Sequence, residues 1–500
     1  MTSTAIHTLH SLDDIKQYFQ TRDRKCYFIS PTNFNQLGMH DWVKGWVNIN
    51  MIDCFDGKHP RVVLHRDDYS RVFQSLEEVN EYLLSAPAIQ AHFGAHPPSG
   101  ADKDQAVFLF FNPQLEALCE TLNLEVAMPK NSMVREIDSK IVTTEIGNQA
   151  GVGSVPNILT RITSFNDLSA QAAASGLGNR WVIQTAYGDS GKTTFFIASE
   201  ADYAVHAEEI EAEDKVKVMR WVRCTGTAIE AYATRWGTFV GPLLTELIGI
   251  DALTPYQGGW CGNELYQDAF SSAVREQIQN KTRAMGDALY KRGYRGIFEL
   301  DYLLDLDTHD IYLGELNSRI SGISAMTNMS QFCQSHIPLF LFHLLEYDPS
   351  VDLQIDVEAF HQQMLAQGAR GIASQVVLKY TDEALKIITQ APVSGVYVLQ
   401  DDGQLTLKQA GYDRHAATAD NEAYVLRIVQ VAEYAYKGCD LAIMFLNQRI
   451  LSAQGQLNPT GQGWVQALHD CFSYRQLTHE ERTLVELANN PVNVKSGSSD

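Results

Sequence analysis

The stretch that decides how this chain is read is GIFELDYLLDLDTHDIYLGELNSR, residues 296 to 319. Its two β-rich runs, GIFELDYLLD and IYLGELN, flank the polar turn LDTHD, so the segment is predicted to be a β-hairpin. Alternation along a strand puts Glu315 and Asn317 on one face, with Asp301 on the opposite arm. Three oxygen donors can thereby converge. Magnesium takes a few carboxylate or amide oxygens and completes its shell with water and phosphate oxygens, which suits Asp301, Glu315 and Asn317 as metal ligands. Arg319 follows two residues on, where a guanidinium can hold a transferring phosphoryl group. Any one of these charges is more simply read as a solvated strand edge; the combination is what argues for a site.

Upstream, AYGDSGKT (186 to 193) fits a loose phosphate-loop pattern. Such a loop must open a helix, yet TTFFI is β-branched and aromatic, as is WVIQTA before it. Strand, loop, strand is therefore predicted. A hairpin loop with Gly188, Ser190 and Gly191 still presents backbone N–H groups to phosphate, and Lys192 adds a charge. The plain alternative is a surface turn that needs glycines.

Around these motifs the chain divides into lobes. Five hundred residues, 45% of them apolar, exceed one hydrophobic core. Residues 1–125 mix strand-like CYFI and AVFLFF with the helical SLEEVNEYLLS and read as an α/β domain. Residues 126–348 hold the motifs, 349–485 alternate helix and strand, and 486–500 read as a disordered tail. Helices are predicted at SKIVTTEIGNQAG and at about 271 to 292, where Gly293 supplies the stop. A net charge of −21 opposes nonspecific binding to nucleic acid. No run approaches a membrane span, the N-terminus lacks a secretory pattern, and the eight scattered cysteines form no CxxC. A cytoplasmic protein with neither nucleic-acid nor membrane partners is expected.

Taken together, these residues resemble the ATP-grasp superfamily over roughly residues 110 to 345. The segment DSKIVTTEIGNQAGVGSVPN looks like the one in which a lysine, here Lys140, contacts nucleotide phosphates. GYRGIFELDYLLD and IYLGELNSRISG resemble the metal-binding strands, which implies Asp301, Glu315 and Asn317 as ligands and Arg319 as the phosphate-facing cation. VMRWV falls where a hinge lines the adenine pocket, implying Met219, Arg220, Trp221 and Val222, largely through backbone groups. One departure stands out: the strand before the glycine loop usually carries a lysine, and here has Gln184 and Thr185. Gln184 can donate a hydrogen bond but brings no charge.

The nearest subgroup is biotin-carboxylase-like, from GYRG, ELNSR and the added C-terminal lobe. After the arginine, however, ISGISAMTNM lacks the glutamate–histidine pair that handles bicarbonate, and its small residues resemble those of carboxylate–amine ligases. The resemblance thus implies an α/β (α+β mixed) ATP-grasp fold with an N-terminal pre-grasp lobe and a C-terminal α+β lobe. It further implies ATP and Mg2+ (Mn2+ as an alternative), small carboxylate and amine substrates, and an acyl phosphate intermediate, with a homodimer allowed. Lys192 and Arg319 would be catalytic. TRWGT and GGWCGNE are candidate substrate loops, in which Arg235 could pair with a carboxylate and Trp260 reads equally as a packed side chain. The rivals are a bicarbonate- or thiol-using ligase on the same scaffold and a non-catalytic ATP-binding regulator.

Overall fold

The computed structural model describes residues 6–67, 73–95, 103–188, 193–329, 336–367 and 373–489. Ser190, Gly191 and Lys192 of the glycine loop lie outside them; of the tail expected over 486–500, residues 486–489 are the end of the helix His479–Asn489 and the rest lies outside the described residues. Among the described residues no helix is long and apolar enough to cross a membrane.

The first lobe is built on five strands, with Cys26–Ser30 at the centre between Trp46–Asn50 and Gln105–Phe108, and Val62–Leu64 and Glu125–Val126 at the edges. Every pairing is parallel. Parallel strands buried on both faces read as continuous apolar runs, which is why CYFIS carries no alternation. The run AVFLFF is strand only as far as Phe108.

A small four-stranded sheet follows, ordered Asn157–Thr160, Val216–Arg220, Trp181–Gln184 and Thr194–Ile197. The last two strands pair antiparallel from Trp181↔Ile197 to Gln184↔Thr194, as the strand–loop–strand pattern predicts. One face of this sheet packs in a separate core with Ile162, Leu168 and Tyr203.

The acidic hairpin forms the edge of a ten-stranded antiparallel sheet. Gly296–Asp305 pairs with Ile311–Asn317 on one side and with Cys224–Thr234 on the other. The polar turn is closed by the Asp305 carboxylate, which accepts from the Asp307 and Thr308 amides at 2.8 and 3.1 Å. The sheet then continues through Gly237–Ile248 and Trp260–Leu265 into Ala373–Lys379 and the strands beyond. Residues after 348 therefore extend the central sheet, while packing a core of their own around Trp464 and Leu441.

Two helices set the site's geometry. Ser272–Lys291 packs its apolar stripe, Ile278, Met285 and Leu289, into the core of the central sheet and ends before Gly293 at φ 102°. Lys140–Gln149 starts at Ser139, whose hydroxyl accepts from the Val142 amide. Its Gly147 lies so close to its neighbours that a Cβ there would meet the Val152 carbonyl at 2.5 Å and Leu313 at 2.9 Å. This close approach seats the helix against the Ile311–Asn317 strand.

Gly147→Ala should therefore cost about 1–3 kcal/mol through overpacking against fixed backbone, although alanine favours helix by ~1 kcal/mol. Urea unfolding measures this; a stabilised variant would contradict the close packing.

Candidate functional site

Register brings the acidic residues together. Asp301 pairs directly with Glu315, and Glu299 with Asn317, so three carboxylates and one amide share one face of the hairpin. Glu230, on the neighbouring strand, pairs with Glu299. Glu246 reaches in from the next strand over Gly226, where a Cβ would sit 2.2 Å from its carboxylate oxygen. The sequence reading missed Glu230, Glu246 and Glu299. For Glu299 the signal was available: it lies two residues before Asp301 in ELD, on the same face.

Burial, with like charges crowded beside one another, shows in the acidities. Burial, with Glu299 and Glu315 adding, pushes the Glu246 carboxyl up to about 8. Burial raises Glu299 to about 7, Glu230 and Glu315 adding and Ser321 and Arg319 opposing. Asp301 is raised well above the ordinary range by burial and the three surrounding glutamates, with Arg319 opposing. Such a set favours a bound cation. No ready-made group of three or more His, Cys, Asp or Glu ligands exists among the described residues. The side chains here that could hold a magnesium ion are the Asp301 and Glu315 carboxylates and the Asn317 amide.

Lys140 joins this face to the small sheet. Its Nζ donates to Glu315 Oε1 at 2.9 Å and to the Gly188 carbonyl at 2.8 Å. Its backbone amide donates to Ala186 O at 2.8 Å, so the start of the glycine loop is tied to the helix N-terminus twice. Gly188 has φ 148°, and a Cβ there would strike Thr193 at 2.0 Å, so this loop position needs glycine. Arg319 lies over the Phe110 ring at 4.8 Å, which brings the first lobe to the site's edge.

In the small sheet, Gln184 and Lys217 are direct cross-strand partners. The Gln184 amide bonds Thr194 Oγ1 at 3.2 Å, and its other end is buried without a partner. Lys217 donates to the Ser154 hydroxyl at 3.1 Å. Burial lowers its pKa to about 8, Glu315 opposing and Lys140 adding to the effect.

Trp221, Val222 and Arg223 connect the small sheet to the central sheet. Met219 and Arg220 pair with Val182 and Trp181 in the sheet. The amides of Arg220 and Trp221 donate to Pro156 and Arg180 at 3.0 and 2.9 Å, and the Arg180 guanidinium stacks on Trp221 at 4.0 Å. Within VMRWV, Val222 is the residue beyond these bonds.

The structure places Arg235 away from the acidic hairpin. It caps the far end of the Cys224–Thr234 strand, where its guanidinium donates to the carbonyls of Leu345 and Asp348 at 2.8 and 2.7 Å and pairs with Glu346. It clamps a helix terminus and is several residues of strand away from Asp301. Trp260 covers the loop after Arg319 instead: its indole packs so close to Gly322 that a Cβ would meet the ring at 2.4 Å. In the short helix that follows, Ser324–Met329, Ser324 and Thr327 both donate to the buried Glu230.

No protein-family model matches the sequence, and a search of curated proteins gives no match. Solved structures do match. A carboxyaminoimidazole ribonucleotide synthase from Aspergillus clavatus complexed with ATP is similar over 90% of this chain and 98% of its own, at 13% identity and TM-score 0.51. The biotin carboxylase domain dimer of Hydrogenobacter thermophilus 2-oxoglutarate carboxylase, in complex with MgADP, ADP and bicarbonate, is similar over 93% and 94%, at 9% identity and TM-score 0.55. A phosphoribosylamine–glycine ligase from Thermotoga maritima is similar over 90% and 97%, at 13% identity and TM-score 0.51. The class of fold is ATP-grasp. The likeness runs over nearly the whole of this chain and of each of these structures.

The raised acidity of Glu246 sets a pH dependence. Between about 4.5 and 8 the unfolded chain has released a proton that the folded chain keeps, so this group's contribution to stability is lost as pH rises through about 8. Thermal unfolding in EDTA across pH 5 to about 8.5 should therefore move progressively in favour of Glu246→Gln over the unsubstituted protein. A pH-independent difference would rule the effect out.

Proposed function

We propose that this protein is an ATP-dependent ligase that activates a substrate carboxylate as an acyl phosphate and joins it to an amine, releasing ADP and phosphate. The observation that carries this reading is the convergence of Asp301, Glu315, Lys140 and the first turn of the glycine loop in one place, with Arg319 beside them. The nucleotide complexes among the similar folds support ATP as the phosphoryl donor.

Asp301, Glu315 and Asn317 would hold magnesium, which when bound supplies charge neutralisation to the phosphates. The mutual repulsion of the carboxylates is what makes their donor set suit it. In the first half-reaction a carboxylate oxygen attacks the γ-phosphorus as the bond to the ADP oxygen breaks. In the second, an amine nitrogen attacks the acyl carbon, phosphate leaves with the bonding pair, and the amine loses a proton. Atoms balance without a covalent enzyme intermediate.

The chain's own part is positioning and charge. Lys140 would be free to bond phosphate were Glu315 engaged by a cation, and its second bond ties it to Gly188 at the start of the loop. Lys192 would serve from the loop as a further cation. Arg319, oriented by the Phe110 face, would stabilise the transferring group and the anionic substrate. Val222 and its neighbours would meet the adenine through backbone groups. Small polar residues follow Arg319, and Ser321, Ser324, Thr327 and Asn328 are all buried. With neither an acid nor a histidine in that segment, an amine acceptor is favoured over bicarbonate.

Incubation with magnesium-ATP and a panel of acids and amines, with mass spectrometry of products, should show ADP release that requires one acid and one amine together. Glu315→Gln should lower that release by about 10²–10³-fold with unchanged folding, the scale of losing a key electrostatic contact. Nucleotide binding without turnover over the whole panel would overturn the ligase reading in favour of a regulator.

A further inference from the structure

Lys217 sits at the second position of the Val216–Arg220 strand and is 1% exposed. Its neighbours Val216 and Val218 face the small sheet's core, so alternation turns Lys217 to the other face, where Gln184 stands directly opposite. A buried ammonium costs several kcal/mol unless an anion compensates it. Here the hydrogen bond made by the ammonium is to the neutral Ser154 hydroxyl, and no carboxylate lies within ion-pair distance among the described residues. The carboxylate that acts on it from further away, Glu315, is bonded to Lys140. An ammonium carries three donors, so Lys217 has donors to spare.

The unpartnered end of the Gln184 amide is its oxygen, while its nitrogen bonds the Thr194 hydroxyl, a group that can also donate; with the amide turned about its last torsion, Thr194 donates to the oxygen and the amide N–H groups face this side of the sheet. Two lysines that repel each other, Lys140 from the helix and Lys217 from the sheet, with a neutral amide beside them, make a receptor for an anion of more than one charge. We propose that Lys217 is a polyphosphate-binding residue of the nucleotide site, its ammonium contacting phosphate oxygens from the small-sheet side while Lys140 contacts them from the helix side. The positive charge absent at Gln184 is then supplied one strand away, across the same register pair. This inference rests on the nucleotide reading above and adds a residue to it.

The test uses full-length protein and isothermal titration with MgATP, MgADP and adenosine, together with thermal unfolding. Lys217→Met should weaken MgATP and MgADP at least tenfold while adenosine, which has no phosphate, binds as before. Lys217→Arg should restore most of the loss. Without nucleotide, Lys217→Met should unfold no earlier than the unsubstituted protein, because a buried uncompensated charge has been removed; a residue serving structure alone would give the opposite. Should Lys217→Met fail to fold, Lys217→Gln, which keeps a polar end for Ser154, takes the same measurements. If the unsubstituted protein binds MgATP and the variants bind it within twofold, Lys217 is not a phosphate ligand, and the nucleotide reading survives. If the unsubstituted protein binds no adenine nucleotide, both fall.

Discussion

The ion pair between Lys140 and Glu315 is the contact on which the site depends. It joins three elements that the chain places far apart: the N-terminus of a helix, the start of the glycine loop and the edge strand of the central sheet. The same lysine offsets part of the repulsion among carboxylates that face one another across the hairpin. Without a cation of some kind, that face would hold several acids whose charges oppose one another at close range. The pair is thus a structural clamp that also sets a positive charge against these acids.

Around that contact the lobes divide the work by the physics of their sheets. The antiparallel central sheet can leave one face polar, and does so at its edge, where the hairpin, Glu230 and Glu246 come together. The parallel sheet of the first lobe is buried on both faces and contributes from its rim, through Phe110 against Arg319. The small sheet shields one face with its own core and turns Gln184 and Lys217 toward the acids. Because the central sheet runs on into the C-terminal strands, the third lobe is anchored by backbone hydrogen bonds at Ala373–Lys379 and shares the site's scaffold.

Local rules worked where the answer depended on a strand's own alternation and on turn chemistry. The rejection of a helix-opening phosphate loop followed from the β-branched run after Thr193, and strand pairing from Trp181 to Ile197 follows the same propensity. Arg235 shows the converse. Its type and its glycine-bearing neighbourhood suited a substrate contact, but the helix terminus at Leu345–Asp348 claims its guanidinium, and nothing local to TRWGT signals that helix. Lys217 shows it again, since in KVKV it reads as the solvated side of an ordinary amphipathic strand.

What the sequence determined by itself was the acidic hairpin, the order of the motifs and the pairing of Glu315 with Asn317 on one face, because period-two geometry is a property of the strand alone. Tertiary structure decided which face of each strand is covered, and by what. Lys217 and Glu230 are polar residues on strands whose outer faces would be solvated in isolation, and it is sequence-distant segments, carrying Ser154 against Lys217 and Ser324 and Thr327 against Glu230, that meet them in the fold. Burial converts an unremarkable charge into one that must find a partner, and neither propensity nor spacing encodes where that partner lies.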